Sequence, residues 1–149
     1  MNPQTQLENP WNEEHKMQIK ISTILSMFAI LTLIFNTSWA QVDTTPKKRL
    51  YSPATITGFI GGESHDGYVI HARKGQVLTV RISWKLEGDN IASFTVSESP
   101  NFYTSQPVKF GEIFNVGKRW MGKIPKTGAY YIWVVAHPIA HYTLRVRVR

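Results

Sequence analysis

Residues 76–84 read Gln76-Val77-Leu78-Thr79-Val80-Arg81-Ile82-Ser83-Trp84. Leu78, Val80, Ile82 and Trp84 fall on one side of an extended chain, and Thr79, Arg81, Ser83 and Lys85 on the other. A period of two with one apolar side predicts a strand that buries one face and wets the other. The period returns in Ala140–Val148, where Tyr142, Leu144, Val146 and Val148 alternate with Thr143, Arg145, Arg147 and Arg149. Ala129–Ala136 is apolar on both sides, which predicts a central strand.

Shorter strand signals fill the space between. They cover Ala54–Ile60, Tyr68–Ala72, Ile91–Val96, a weaker Val108–Phe114, and Lys118–Ile124 before Pro125. Turn residues separate them: Gly61-Gly62, Asp66-Gly67, Arg73-Lys74-Gly75, Glu87-Gly88-Asp89-Asn90 and Lys126-Thr127-Gly128. Ser97–Gln106, with Pro100 and Asn101, reads as a loop. No stretch after residue 41 carries a helical period. The expectation is an all-β domain over residues 54–149: an antiparallel sandwich or jelly roll of about eight strands. Gln41–Pro53 is polar, with Pro46, Pro53 and Lys47-Lys48-Arg49, and reads as a tail leading into the fold.

The first 40 residues read as a cleavable leader. Lys16 and Lys20 precede the apolar run Ile21–Phe35, and small residues at Ser38 and Ala40 precede Gln41. Met17 offers a more compact start, because Glu8, Glu13 and Glu14 are unusual in a positive leader region. The run is short of the ~20 apolar residues of a spanning helix, which favours cleavage between Ala40 and Gln41 over anchoring. The chain has no cysteine, so an exported domain must hold together by its core and ladders alone.

From Gln41 onward there are 15 Lys and Arg against seven Asp and Glu, a net charge of +8. Charge of this sign suits a polyanionic partner such as an envelope glycan, and it also keeps a small domain soluble. Nucleic acid fits by charge, but export argues against it.

Motifs for catalysis are weak. Gly62-Glu63-Ser64-His65-Asp66-Gly67 falls short of a nucleophile elbow, because the fifth position is Asp66 and a strand follows. Adjacent Ser, His and Asp do not converge on one another, so a polar hairpin loop is favoured over a hydrolase built on Ser64 and His65. His137 and His141 are four apart, but Pro138 stands where a zinc protease has Glu, and the neighbourhood is strand. Glu63, Asp66, Glu87 and Asp89 lack the pattern of a calcium loop. No metal or cofactor is expected. Arg145, Arg147 and Arg149 make a basic stripe on the last strand, and charges protecting an edge strand from aggregation are favoured over a binding stripe. Tyr131, Trp133 and Val135 lie opposite Tyr130, Ile132 and Val134, so one row must face away from the core. If that row holds Trp133, it is a sugar or protein platform or it is covered by a loop.

Four pieces together form a known layout. They are Ile56-Thr57-Gly58; Ala72-Arg73-Lys74-Gly75-Gln76-Val77-Leu78-Thr79-Val80 after Tyr68-Val69-Ile70-His71; Pro125-Lys126-Thr127-Gly128-Ala129-Tyr130 between Ile124 and Tyr131-Ile132; and Tyr142-Thr143-Leu144-Arg145-Val146. Over about Pro53–Val148 the chain resembles the bacterial pre-peptidase C-terminal domains, small extracytoplasmic β-sandwiches. As a single domain behind a leader it is most similar to the periplasmic inhibitors of goose-type lysozyme. The resemblance implies a non-catalytic, exported module with a macromolecular partner, either a protein such as a lysozyme or a polyanionic glycan. The inhibitors carry a longer arginine-bearing loop before the last strand. Here that place is Ala136–His141, where His137 and His141 are the polar candidates. The candidate binding residues are Tyr68, Tyr131, Trp133, His137, His141, Arg145 and Arg147.

Overall fold

The computed structural model describes residues 41–149. The leader, Met17 and Ala40 lie outside them. Nine strands run in chain order: β1 Lys47–Leu50, β2 Ala54–Gly61, β3 Asp66–Ala72, β4 Val77–Trp84, β5 Ile91–Ser97, β6 Glu112–Phe114, β7 Arg119–Lys123, β8 Gly128–His137 and β9 Ile139–Val148. They form two sheets, a four-stranded one ordered β1-β3-β8-β5 and a five-stranded one ordered β2-β9-β4-β7-β6. The expected all-β sandwich is what the chain adopts.

The alternating residues close the core as their period requires. Leu78, Val80 and Ile82 of β4 and Tyr142, Leu144 and Val146 of β9 are buried against Tyr130, Ile132 and Val134 of β8 and Tyr68 and Ile70 of β3. Each such aliphatic side chain contributes about 1.5–3 kcal/mol by leaving water. β8, apolar on both sides, is paired on both edges, by β3 and β5.

Three expectations need correction. The polar tail is not a tail: Lys47–Leu50 pairs parallel with Gly67–Ile70 as the edge of the four-stranded sheet. Alternation over four residues, three of them basic, is too short a signal to read. Val108–Phe114 is not one strand. Pro107 bridges Ser97 and the Val108 N–H bonds the Val96 carbonyl, on the four-stranded side. The chain then turns at Gly111 (φ +90°), whose missing Cβ would stand 2.5 Å from the Trp120 ring, and joins the other sheet as β6. A segment that changes sheets cannot keep one alternation. Finally, β9 is not an edge strand. It lies between β2 and β4 and is paired along both sides. Edge protection therefore does not account for its arginines.

Candidate functional site

The outer face of the five-stranded sheet gathers the basic residues. In register, Arg119 of β7 lies opposite Arg81 of β4, Arg81 opposite Arg145 of β9, and Arg145 opposite Thr55 of β2. Three guanidinium groups thus stand side by side on adjacent strands. One pair further along, Met121, Thr79 and Arg147 form the next row, and Arg149 follows at the end of the chain. The residues between them in sequence, Val80, Trp120, Leu144 and Val146, point into the core, so alternation holds every arginine outward. Arg81, Arg145, Arg147 and Arg149 are exposed and Arg119 is half-buried. Together with Thr55, Thr79 and Met121 they line an open depression of about 490 Å³.

Like charges directly opposite on a sheet destabilise it. Carboxylates usually relieve such a row, yet none among the described residues does so. Among the described residues the ion pairs are Asp43–Lys47, Asp43–His65, Asp66–Lys48, Glu87–Lys85 and Glu98–Lys126, and none includes an arginine. Glu112 lies opposite Met121 across the register without engaging a cation. Arg119 is held in place by weak contacts: its guanidinium sits 5.4 Å from the Phe114 ring centroid and its Nη2 is 3.7 Å from Met121 Sδ. Its Nε is buried with no hydrogen-bond partner.

The other sequence-derived candidates are dispersed. His141 shares the outer face of β9 with Arg145 and Arg147, four residues from the arginine row, and its ring lies 4.5 Å from that of Phe59. His137 is the exposed last residue of β8, opposite Ile91 of β5. Tyr68 is buried between the sheets. Its hydroxyl is 2.6 Å from that of Tyr142, which in turn donates to Asp66. Since Tyr142 gives its hydrogen to the carboxylate, Tyr68 donates to Tyr142. Burial raises the pKa of Tyr142, and the Asp66 and Tyr68 hydrogen bonds raise it further. Tyr68 is therefore a link between sheets and offers no surface.

Trp133 faces away from the core and is 1 % exposed. Of its two readings, coverage is the outcome. His65 and Phe102 pack against it at 5.6 and 5.8 Å, edge to face, and Lys47 Nζ lies 5.3 Å from the ring. Gly67 lies opposite it in register, and a Cβ there would stand 2.6 Å from the indole. Tyr131, half-buried, stacks beside Trp133 at 6.4 Å. The cover is pinned by Asp43, whose side chain is 1 % exposed. Its carboxylate accepts from the Thr45 N–H (2.9 Å), the Phe102 N–H (3.2 Å), Lys47 Nζ (3.0 Å) and His65 Nε2 (3.1 Å). Burial pushes the Asp43 pKa up, but the Thr45 N–H, Lys47 and the other donors outweigh it and hold it well below the usual carboxylate range.

This cluster has the residue types of a catalytic triad without the geometry. Thr45 Oγ1 and Asp43 Oδ1 both meet the same ring nitrogen of His65, Nε2. A relay needs the orienting acid on one nitrogen and the nucleophile on the other. Ser64 turns away and donates to the Gly61 carbonyl. Among the described residues no group of three or more His, Cys, Asp or Glu side chains is arranged to hold a metal ion.

No family model and no curated protein matches the chain. Solved structures do. A crystal structure of Aeromonas hydrophila PliG, a periplasmic lysozyme inhibitor of g-type lysozyme, aligns with a TM-score of 0.52 and 22 % identity over 69 % of this chain and 96 % of that one. The pre-peptidase C-terminal domain of collagenase from Bacillus anthracis aligns with a TM-score of 0.52 and 17 % identity over 72 % of this chain and all of that domain. The fold is therefore that of the pre-peptidase C-terminal-like β-sandwiches, shared with PliG inhibitors, as the sequence layout implied.

Alternation along β4 and β9 showed Arg81 and Arg145 to be outward. Their adjacency, and that of Arg119, comes from a pairing order no local signal carries. Phe59 and Asp43 went unread for the same reason.

Proposed function

We propose that this chain is an exported, non-catalytic binding module that takes an anionic macromolecule onto the arginine face of its five-stranded sheet, in the cell envelope or outside the cell. The observation that carries the reading is the row Arg119–Arg81–Arg145, aligned across three strands with no acidic partner among the described residues. Guanidinium groups present paired donors that match carboxylate, sulfate or phosphate oxygens. A row that costs the free protein stability gains its compensation when an anion lies across it. Export is supported by the leader pattern in residues 1–40 and by the periplasmic location stated for the A. hydrophila protein of like fold.

Retention of the purified protein on an immobilised sulfated polysaccharide tests the reading. Binding is expected to weaken linearly with log salt, as counterion release requires, and the slope to fall in the double variant R81S/R145S. Absence of retention at low salt, or retention indifferent to that double variant, would overturn it.

A second reading has support of its own. The inhibitor from A. hydrophila matches over nearly its whole length, and lysozyme inhibition is the activity of that protein. Against it stands charge: a module of net +8 meets a basic lysozyme with like-charge repulsion, which slows encounter. The connection before the last strand, where the resemblance implies an arginine-bearing loop, is here the exposed His137-Pro138. Lysis of peptidoglycan by goose-type lysozyme in a large molar excess of the protein decides this point, and unchanged lysis removes the inhibitor reading.

A further inference from the structure

We propose further that the ligand is an anionic polysaccharide lying lengthwise on β9, its charged substituents on the arginines and one sugar ring stacked on Phe59. This rests on the arginine-face reading and names the ligand class.

The outer face continues beyond the arginine row. Along β9 the outward residues run Arg147, Arg145, Thr143, His141 and Ile139, and Ile139 is 51 % exposed. Thr143 is flanked in register by Thr57 of β2 and Ser83 of β4, and His141 by Phe59. A second open depression of about 420 Å³ follows the first, lined by Thr57, Ser83, Lys85, His141 and Thr143. At its end Phe59 is 57 % exposed, its ring tilted 39° to that of His141. From Arg145 to His141 is about 14 Å at the rise of an extended strand. The face therefore changes character along the direction of β9: guanidinium groups, then a patch of hydroxyls, then the exposed Phe59 ring of β2 with Ile139 beside it.

That order discriminates among polyanions. A polyphosphate needs cations along its whole length, and here they give way to threonine and serine. An anionic bilayer needs apolar side chains beside the cations; here Phe59 and Ile139 stand apart from the arginine row, with the hydroxyls of Thr57, Thr143 and Ser83 between. A polysaccharide has all three complements: acidic substituents for arginine, hydroxyls for threonine, serine and imidazole, and an apolar ring face for phenylalanine. Glu87 beside this half of the face is engaged by Lys85 at 2.8 Å, and Glu112, opposite Met121, lies at the arginine end.

The test measures affinities of the purified protein for four probes: heparin, polygalacturonate, inorganic polyphosphate and single-stranded oligothymidylate. Phe59 is a surface residue, so F59A is expected to fold normally, which thermal unfolding checks. F59A should weaken heparin or polygalacturonate binding about tenfold and leave polyphosphate binding unchanged. H141A should do the same more weakly, while R81S/R145S should weaken every probe. If polyphosphate binds and neither polysaccharide responds to F59A, the polysaccharide assignment falls and the arginine-face reading stands. Oligothymidylate binding tighter than either polysaccharide and lost in F59A would reassign the ring to base stacking. If no probe binds, both readings fall.

Discussion

Arg145 has Arg81 on one side and Thr55 on the other, and among the described residues it pairs with no carboxylate. Replacing it separates binding from stability. R145S removes one like-charge contact and is expected to raise stability by about 0.5 kcal/mol while lowering polyanion affinity. Chemical denaturation and retention on the same protein check this, and a stability loss above 1 kcal/mol would show the arginine to be structural. Asp43 behaves oppositely. Its carboxylate carries four donors in a buried place, and its pKa lies below the ordinary value. A depressed pKa adds stability that is complete above the unfolded-state value of about 3.9 and is lost as pH falls through the folded-state value. Denaturation midpoints measured from pH 6 to pH 2 should therefore decline more steeply below pH 4 in the parent than in D43N. The variant itself should be about 1–3 kcal/mol less stable at neutral pH, because Lys47 and His65 lose their charged acceptor.

At the scale of elements, the β6–β7 hairpin carries stored strain. Its turn closes with the Lys118 N–H on the Asn115 carbonyl, and the central residues are Val116 at φ +50° and Gly117 at φ +80°. With Asn115 at φ +52° three consecutive residues are left-handed; Asn and Gly take that conformation readily, but a β-branched residue does so at a cost of about 1–3 kcal/mol. Val116 is fully exposed, so no packing offsets it. V116N places Asn-Gly at the turn and is expected to raise the free energy of unfolding by about 1 kcal/mol; an unchanged or lower value would mean the tip is not strained. The same element explains a misreading. Val108–Phe114 has the composition of one strand, yet Gly111 under Trp120 sends its halves to different sheets.

For the whole molecule, the question is how two sheets without disulfides are locked in one alignment. Packing of β4 and β9 against β3 and β8 supplies most of it, and the Tyr68–Tyr142–Asp66 chain adds a directional link from β9 to β3. Both phenols have raised pKa values, with burial the largest cause, so the link stays protonated through the neutral range. Y142F keeps the ring and removes the bridge, leaving Asp66 and the Tyr68 hydroxyl without it. A loss of about 1–3 kcal/mol is expected in urea unfolding, with far-UV circular dichroism unchanged. A neutral result would mean that apolar packing alone sets the alignment.

The all-β class, the positions of β2 to β5 and β7 to β9, and the inward rows of β4, β8 and β9 were legible in the chain because the period of two is local: each residue's side of the strand follows from its neighbours. Charge was legible for the same reason, as were the outward directions of Arg81 and Arg145. What meets what across strands was not. Whether Trp133 is a platform or is covered depends on Asp43, His65 and Phe102, separated from it by 31 to 90 positions. Whether Arg145 guards an edge or joins a row depends on which strands flank β9. Pairing order is chosen by the burial of the whole set of strands at once, so tertiary structure alone decided where the arginines meet and that Phe59 stays exposed beside His141.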